Sequence, residues 1–142
     1  MKLTLTPLII MTAPLYNYYK LALQNWCSSQ NTQKKIHGLW GDLTSTSYPS
    51  YCSQIPFNLT ELENSPQYPQ LLKYWYDCTQ EQTNHLYEHE WSKHGTCIQL
   101  QTNYTQNEYF EKALELYTQF QPTTDDDSIC FDLDYIKIDC PP

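Results

Sequence analysis

The chain has no arginine; all eight of its cations are lysine, set against sixteen carboxylates and four histidines. The missing arginine reads as compositional bias. The resulting formal charge of −8 argues against broad electrostatic capture of nucleic acid. A nucleic-acid ligand would have to be held locally, by a few cations and by aromatic stacking. No segment is apolar for long enough to span a bilayer, so no membrane partner is expected. No two of the six cysteines have Cys-x-x-Cys spacing, which removes the usual zinc and redox motifs. Internal repeats and any sign of a second domain are absent too.

What is present points to a compact domain. At 142 residues the chain can bury a real core. Thirteen Tyr, four Trp and four Phe argue for a packed interior or a stacking surface. Dispersed, even-numbered cysteines at 27, 52, 78, 97, 130 and 140 suggest disulfides and an oxidising compartment. Asn58-Leu59-Thr60 and Asn103-Tyr104-Thr105 are glycosylation sequons consistent with secretion. Residues 1–13 read as a weak signal segment, a lysine followed by an apolar run interrupted by Pro7. Residues 14–142 then form one domain.

Aromatic and aliphatic residues from Tyr16 to Trp26 predict a strand, and Ile36 to Trp40 a second. Leu59 to Tyr76 is helix-compatible but broken near Pro66 and Pro69. Thr105-x-x-Glu108 has capping-box spacing, and Tyr109, Phe110, Ala113, Leu114, Tyr117 and Phe120 recur with helical period behind it. Pro122 and Asp125-Asp126-Asp127 end that helix in a solvated loop. Ile129 to Asp139 predicts two short strands bracketed by Cys130 and Cys140. Strands and helices in mixed order indicate an α+β fold.

Two short segments concentrate the chemistry. Ile36-His37-Gly38-Leu39-Trp40-Gly41-Asp42 is one; Glu88-His89-Glu90-Trp91-Ser92-Lys93-His94-Gly95-Thr96-Cys97 is the other. On a helix of about 100° per residue, with His89 at zero, Lys93 lies at about 40°, Glu90 at about 100° and His94 at about 140°. All four project from one face, and Gly95 fits a left-handed helix end. Three readings compete. A His-Glu-x-x-His zinc site needs histidines four apart, and here the fourth residue after His89 is Lys93. A salt-bridged surface is the plain structural reading; His37, flanked by glycine where a ligand could approach closely, counts against it. The third is metal-free phosphoryl transfer. Histidines would act as acid and base, and a lysine would meet the charge that builds in the transition state.

The two segments resemble those of the ribonuclease T2 family of acid ribonucleases. His37 to Asp42 is similar to its His-Gly-Leu-Trp-x-Asp motif. Glu88 to Cys97 is similar to its Glu-His-Glu-Trp-x-Lys-His-Gly-Thr-Cys motif. Leu21-Ala22-Leu23-Gln24-Asn25-Trp26 looks like the family's first strand with Asn25 inserted. Phe57-Asn58-Leu59, Tyr74-Trp75, Tyr109-Phe110, Leu114 to Tyr117 and the Cys130/Cys140 pair also have counterparts. The resemblance covers most of residues 16 to 141.

That resemblance implies a central antiparallel sheet flanked by helices. It implies an endoribonuclease that cleaves single-stranded RNA through a 2′,3′-cyclic phosphate to 3′-phosphate ends, with low base specificity and an acidic pH optimum. His94 would be the general base and His37 the general acid, His89 would bind phosphate, and Glu90 and Lys93 would stabilise the pentacovalent species. Trp40, Asp42 and Gln24 would contact the base. Cys52–Cys97, Cys130–Cys140 and Cys27–Cys78 would be the disulfides. No metal or cofactor is implied; the expected partner is single-stranded RNA, the state a monomer, the location secreted or an endolysosomal or vacuolar lumen. Gly41 and Tyr76 stand where family members usually have proline, and Gly41 would loosen the backbone between Trp40 and Asp42. The stretch from Tyr117 to Ile129 is shorter than the family's by several tens of residues. The alternative is a non-catalytic secreted RNA-binding or immunomodulatory homologue.

Overall fold

The computed structural model describes residues 3–5, 13–26, 33–79 and 83–142. Its frame is a four-stranded antiparallel sheet in the order β2-β1-β3-β4. The strands are β1 (Tyr18–Leu23), β2 (Ile36–Asp42), β3 (Ser128–Phe131) and β4 (Lys137–Ile138). The fold is thus α+β, with helices packed on the sheet, as the mixed order of elements implies.

β1 and β2 pair from Tyr18 opposite Asp42 to Ala22 opposite Gly38, and the register shifts between Ala22 and Leu23. β1 stops at Leu23, so Asn25 falls in the bend after the strand and is exposed. Helix α1 (Leu59–Glu63) is capped by the Asn58 side chain, which accepts from Glu61 N. Helix α2 (Tyr68–Tyr74) carries a proline in its first turn, where no backbone donor is lost. The break between them is the one Pro66 and Pro69 predict. Helix α5 (Gln106–Phe120) starts at Thr105, whose hydroxyl accepts from Glu108 N at 3.2 Å. Its stripe of Tyr109, Phe110, Ala113, Leu114 and Tyr117 is buried in the core. Each of the larger side chains contributes roughly 1.5–3 kcal/mol over an exposed one. Ten of the 21 aromatics are buried, with Trp75, Tyr87, Trp91 and Tyr109 almost fully covered.

Helix α3 (Thr83–Glu90) does not end near Gly95. It passes through a π-helical turn, Trp91–Gly95, into α4 (Thr96–Thr102). The expectation of a left-handed Gly95 is overturned: its φ is −61°. The glycine is needed for space, because a Cβ there would lie 2.5 Å from the Trp91 ring. The left-handed residue that ends α4 is Asn103, with φ of 63°. Gly41 is corrected in the same way. It sits in regular pairing opposite Tyr19, and the place of its missing side chain is filled by the Tyr16 ring, so it does not loosen the strand.

Two disulfides brace this frame, Cys52–Cys97 and Cys130–Cys140, both as the resemblance implies. Cys78 is also disulfide-bonded; Cys27 and most of residues 1–13 lie outside the described residues. Cys52–Cys97 closes a separation of 45 residues and Cys130–Cys140 one of 10. Longer closed loops restrict the unfolded chain more. Replacing Cys52 and Cys97 by alanine should therefore cost roughly 3–4 kcal/mol and the other pair about 1 kcal/mol less. Urea unfolding of the two double variants measures this; an equal or inverse order would contradict it.

Candidate active site

β2 packs against the α3–π segment, and several of the predicted residues gather where they touch. From β2 come His37, Gly38 and Trp40; from α3 comes Glu90; from the π-helical turn come Lys93 and His94. Glu90 is at the centre, with 1 % of its surface exposed. Its Oε2 accepts from Trp40 Nε1 at 2.7 Å. Its Oε1 lies 3.2 Å from His37 Nε2, in ion-pair range but without the alignment of a hydrogen bond. Only a glycine at position 38 admits this carboxylate, since a Cβ there would overlap Glu90 Oε2. A buried carboxylate needs such partners to be tolerated.

The two histidines flank one tryptophan. His94 stacks on Trp40 with centroids 4.7 Å apart and planes 22° apart. His37 meets the same ring edge-on at 5.1 Å. Trp26 also meets His37 edge-on, at 5.0 Å. The backbone behind them is tied down: Trp75 Nε1 donates to His37 O at 2.9 Å, and the Tyr109 hydroxyl donates to Leu39 O at 2.9 Å.

His94 is buried, and its Nδ1 has no hydrogen-bond partner. Burial, then the charges of Lys93, His89, His37 and Lys20, push its pKa down to about 3. Desolvation penalises the imidazolium, so burial favours the neutral imidazole of His94. The π-helical turn positions it. Thr96 N–H reaches back to Trp91 O, and Lys93 O accepts from Tyr51 N at 2.9 Å. The Thr96 hydroxyl accepts from Cys52 N at 3.1 Å and donates to Ser92 O at 2.9 Å. The segment after β2 is thereby docked on the turn beside the Cys52–Cys97 bridge. Wide turns of this kind recur at functional sites.

The single face projected from an ideal helix is divided. Glu90 and His94 point into the β2 contact, Lys93 is half-buried, and His89 is exposed. Gln24 stands apart from the cluster and is fully buried. Its amide nitrogen donates to Ile36 O at 2.6 Å and Tyr76 O at 2.7 Å, and its oxygen accepts from Cys78 N at 3.1 Å. Those bonds staple the end of β1 to its surroundings and leave Gln24 no surface for a base. Asp42 is buried as well, in an ion pair with Lys20 at 2.7 Å.

Tyr48 was not singled out by the sequence. Its ring is tilted over His94 at 5.6 Å and carries Lys93 Nζ 5.3 Å from its centroid. It is also exposed, so it covers one side of His94 while facing solvent. A tyrosine in a Ser/Thr/Pro-rich loop has no periodic signal; only the disulfide-anchored path of that loop brings it here. Among the described residues no three His, Cys, Asp or Glu side chains converge as metal ligands. The arrangement can move a proton to or from a group near Trp40 and hold an anion near Lys93.

Known proteins share much of this chain. The model of the Ribonuclease T2 family matches residues 16–125. Ribonuclease DdI of Dictyostelium discoideum is 34% identical over 119 residues, 76% of this chain and 52% of that protein. Ribonuclease T2 of Sus scrofa is 39% identical over 88 residues, 59% of this chain and 41% of that protein. The chain thus spans about half the length of the curated relatives it matches. Among solved structures, human RNase T2 superposes with a TM-score of 0.63 at 26% identity, over 77% of this chain and 59% of that one. The RNase-related protein from Calystegia sepium gives 0.68 at 21% identity, over 89% and 91%.

Proposed function

This chain belongs to the ribonuclease T2 family, and on that premise we propose that it is an endoribonuclease that cleaves single-stranded RNA without a metal. The observation that carries the reading is the pair of imidazoles around Trp40. One is buried and neutral, and the other lies in ion-pair range of a buried carboxylate. Transesterification needs two proton-transfer groups in different states. In this reading neutral His94 takes the 2′-hydroxyl proton as O2′ attacks phosphorus. His37 gives its proton to the departing 5′-oxygen, and the product is a 2′,3′-cyclic phosphate. The roles reverse when water opens the cycle to a 3′-phosphate. Lys93 meets the negative charge that grows on the non-bridging oxygens. Exposed His89 adds a contact to phosphate. Glu90 holds His37 and Trp40 in place.

Base recognition in this reading rests on stacking, worth about 1–3 kcal/mol per base for any base, so preference is weak overall. An acidic optimum follows from the same geometry. The base stays neutral down to about pH 3, while acid softens the repulsion between RNA and a chain of charge −8. Disulfides of the kind at Cys52–Cys97 persist in oxidising surroundings, which supports a secreted or lumenal site of action. No helix among the described residues is long and apolar enough to cross a membrane.

The test is cleavage of single-stranded homopolymer RNA by the purified protein from pH 4 to 9, with and without EDTA. Cyclic-phosphate products, a faster rate near pH 5 than near pH 8, and indifference to EDTA are expected. A rate that climbs steadily to pH 9, or inactivation by EDTA, would overturn the mechanism. RNA binding with no cleavage at any pH would favour the non-catalytic homologue.

A further inference from the structure

The cluster leaves one cation unexplained. Lys20 sits in the middle of β1, a central strand where a lysine is uncommon. Strand pairing puts it opposite Trp40 and diagonal to Asp42, so the three side chains share one face of the sheet. Its Nζ lies 2.7 Å from Asp42 Oδ2 and 5.8 Å from the centroid of the Trp40 ring. The Asp42 side chain is 2% exposed, while that of Lys20 keeps 18%. The ammonium also belongs to the set of charges that depress His94, which places it on the catalytic side. A strand staple is not needed there, because β1 and β2 already pair in regular register from Tyr18 to Ala22.

We propose that Lys20 decides the direction of base preference: it neutralises Asp42 and leaves an ammonium donor, not a carboxylate acceptor, beside Trp40. A donor favours a base that presents carbonyl oxygens, of which uracil is the clearest case. It favours adenine less, because adenine has only ring nitrogens to accept and turns an exocyclic amine donor toward the ammonium. Were Asp42 free, the order would reverse, because a carboxylate accepts from the amine and repels a carbonyl. This rests on the endoribonuclease reading for its biological meaning, yet binding alone tests it.

The experiment is calorimetric titration of the whole chain with uridine 3′-monophosphate and adenosine 3′-monophosphate. The two share the phosphate, so the ratio of their Kd values isolates the base. The wild-type protein should favour uridine roughly three- to tenfold, the range one net hydrogen bond supports. Lys20→Arg should keep that order, and Lys20→Met should abolish or invert it. Because Lys20→Met strands a buried carboxylate, Lys20→Met combined with Asp42→Asn serves as the stable neutral control, with a ratio near one. A wild-type preference for adenosine, a ratio unchanged in the double variant, or no binding of either nucleotide overturns the proposal. Poly(U) cleavage by the same preparation separates the two ideas: a Lys20-dependent ratio with no cleavage sinks the endoribonuclease reading alone, and cleavage with a Lys20-independent ratio sinks this one alone.

Discussion

Replacing His94 by alanine should slow cleavage of single-stranded RNA by about 10²–10⁴-fold, the range typical of a positioned proton-transfer group. His37→Ala should fall in the same range. The chain should stay folded in both cases. His94 makes no hydrogen bond through its buried Nδ1, so its removal orphans no partner. His37 is part-exposed, and its backbone, not its ring, is what Trp75 holds. Acid and base act on the same transition state, so the double variant should lose less than the product of the two single losses. Initial rates on a homopolymer, with circular dichroism as the folding control, decide the matter. If either folded single variant keeps more than about a tenth of wild-type activity, well short of such a loss, the assigned roles are wrong. A loss confined to His37→Ala would move the base elsewhere, Tyr48 and His89 being the nearest groups to examine.

The second large effect is on stability in acid. In the unfolded chain a histidine takes up its proton near the ordinary value of 6.5; folded His94 does so only near 3. Between those values the unfolded state binds more protons, so unfolding becomes easier as pH falls. The contribution is fully present above about pH 6.5 and is lost progressively toward pH 3. Its size is roughly 4–5 kcal/mol over the window, about 1.4 kcal/mol per pH unit. Urea unfolding followed by tryptophan fluorescence from pH 3.5 to 7.5 measures it. His94→Gln removes the titration, so its stability should depend on pH less steeply than that of the wild type by about that slope. Parallel curves for the two proteins would mean that His94 is not held neutral. The same burial serves the proposed chemistry: a histidine left at its ordinary value would be mostly protonated at pH 5 and useless as a base there.

Much of the arrangement is legible in the residues. The α5 stripe from Tyr109 to Tyr117 and its Thr105 cap are local patterns, and both appear where the period and the cap chemistry put them. The proline breaks between α1 and α2 are local too. Gly95 misled for a physical reason. Glycine signals either a backbone angle or a lack of room, and the sequence does not distinguish them. Here the Trp91 ring takes the room. Gln24 is a similar case: an amide on a strand reads as a binding group until its donors are found bonded to Ile36 O and Tyr76 O.

The residues read in order suffice for the α+β class, for the elements that carry His37 and His94, and for the family to which the chain belongs. These rest on short-range periodicity and on two contiguous motifs. How the motifs work together was settled by packing. It stacked His94 on Trp40, set Glu90 between Trp40 and His37, buried the His94 imidazole deeply enough to favour its neutral form, and closed Asp42 under Lys20. The reason is that burial and ion pairing are properties of what a side chain meets across the fold. The lysine that replaces arginine throughout the composition matters at position 20 only because strand register sets it against Trp40 and Asp42.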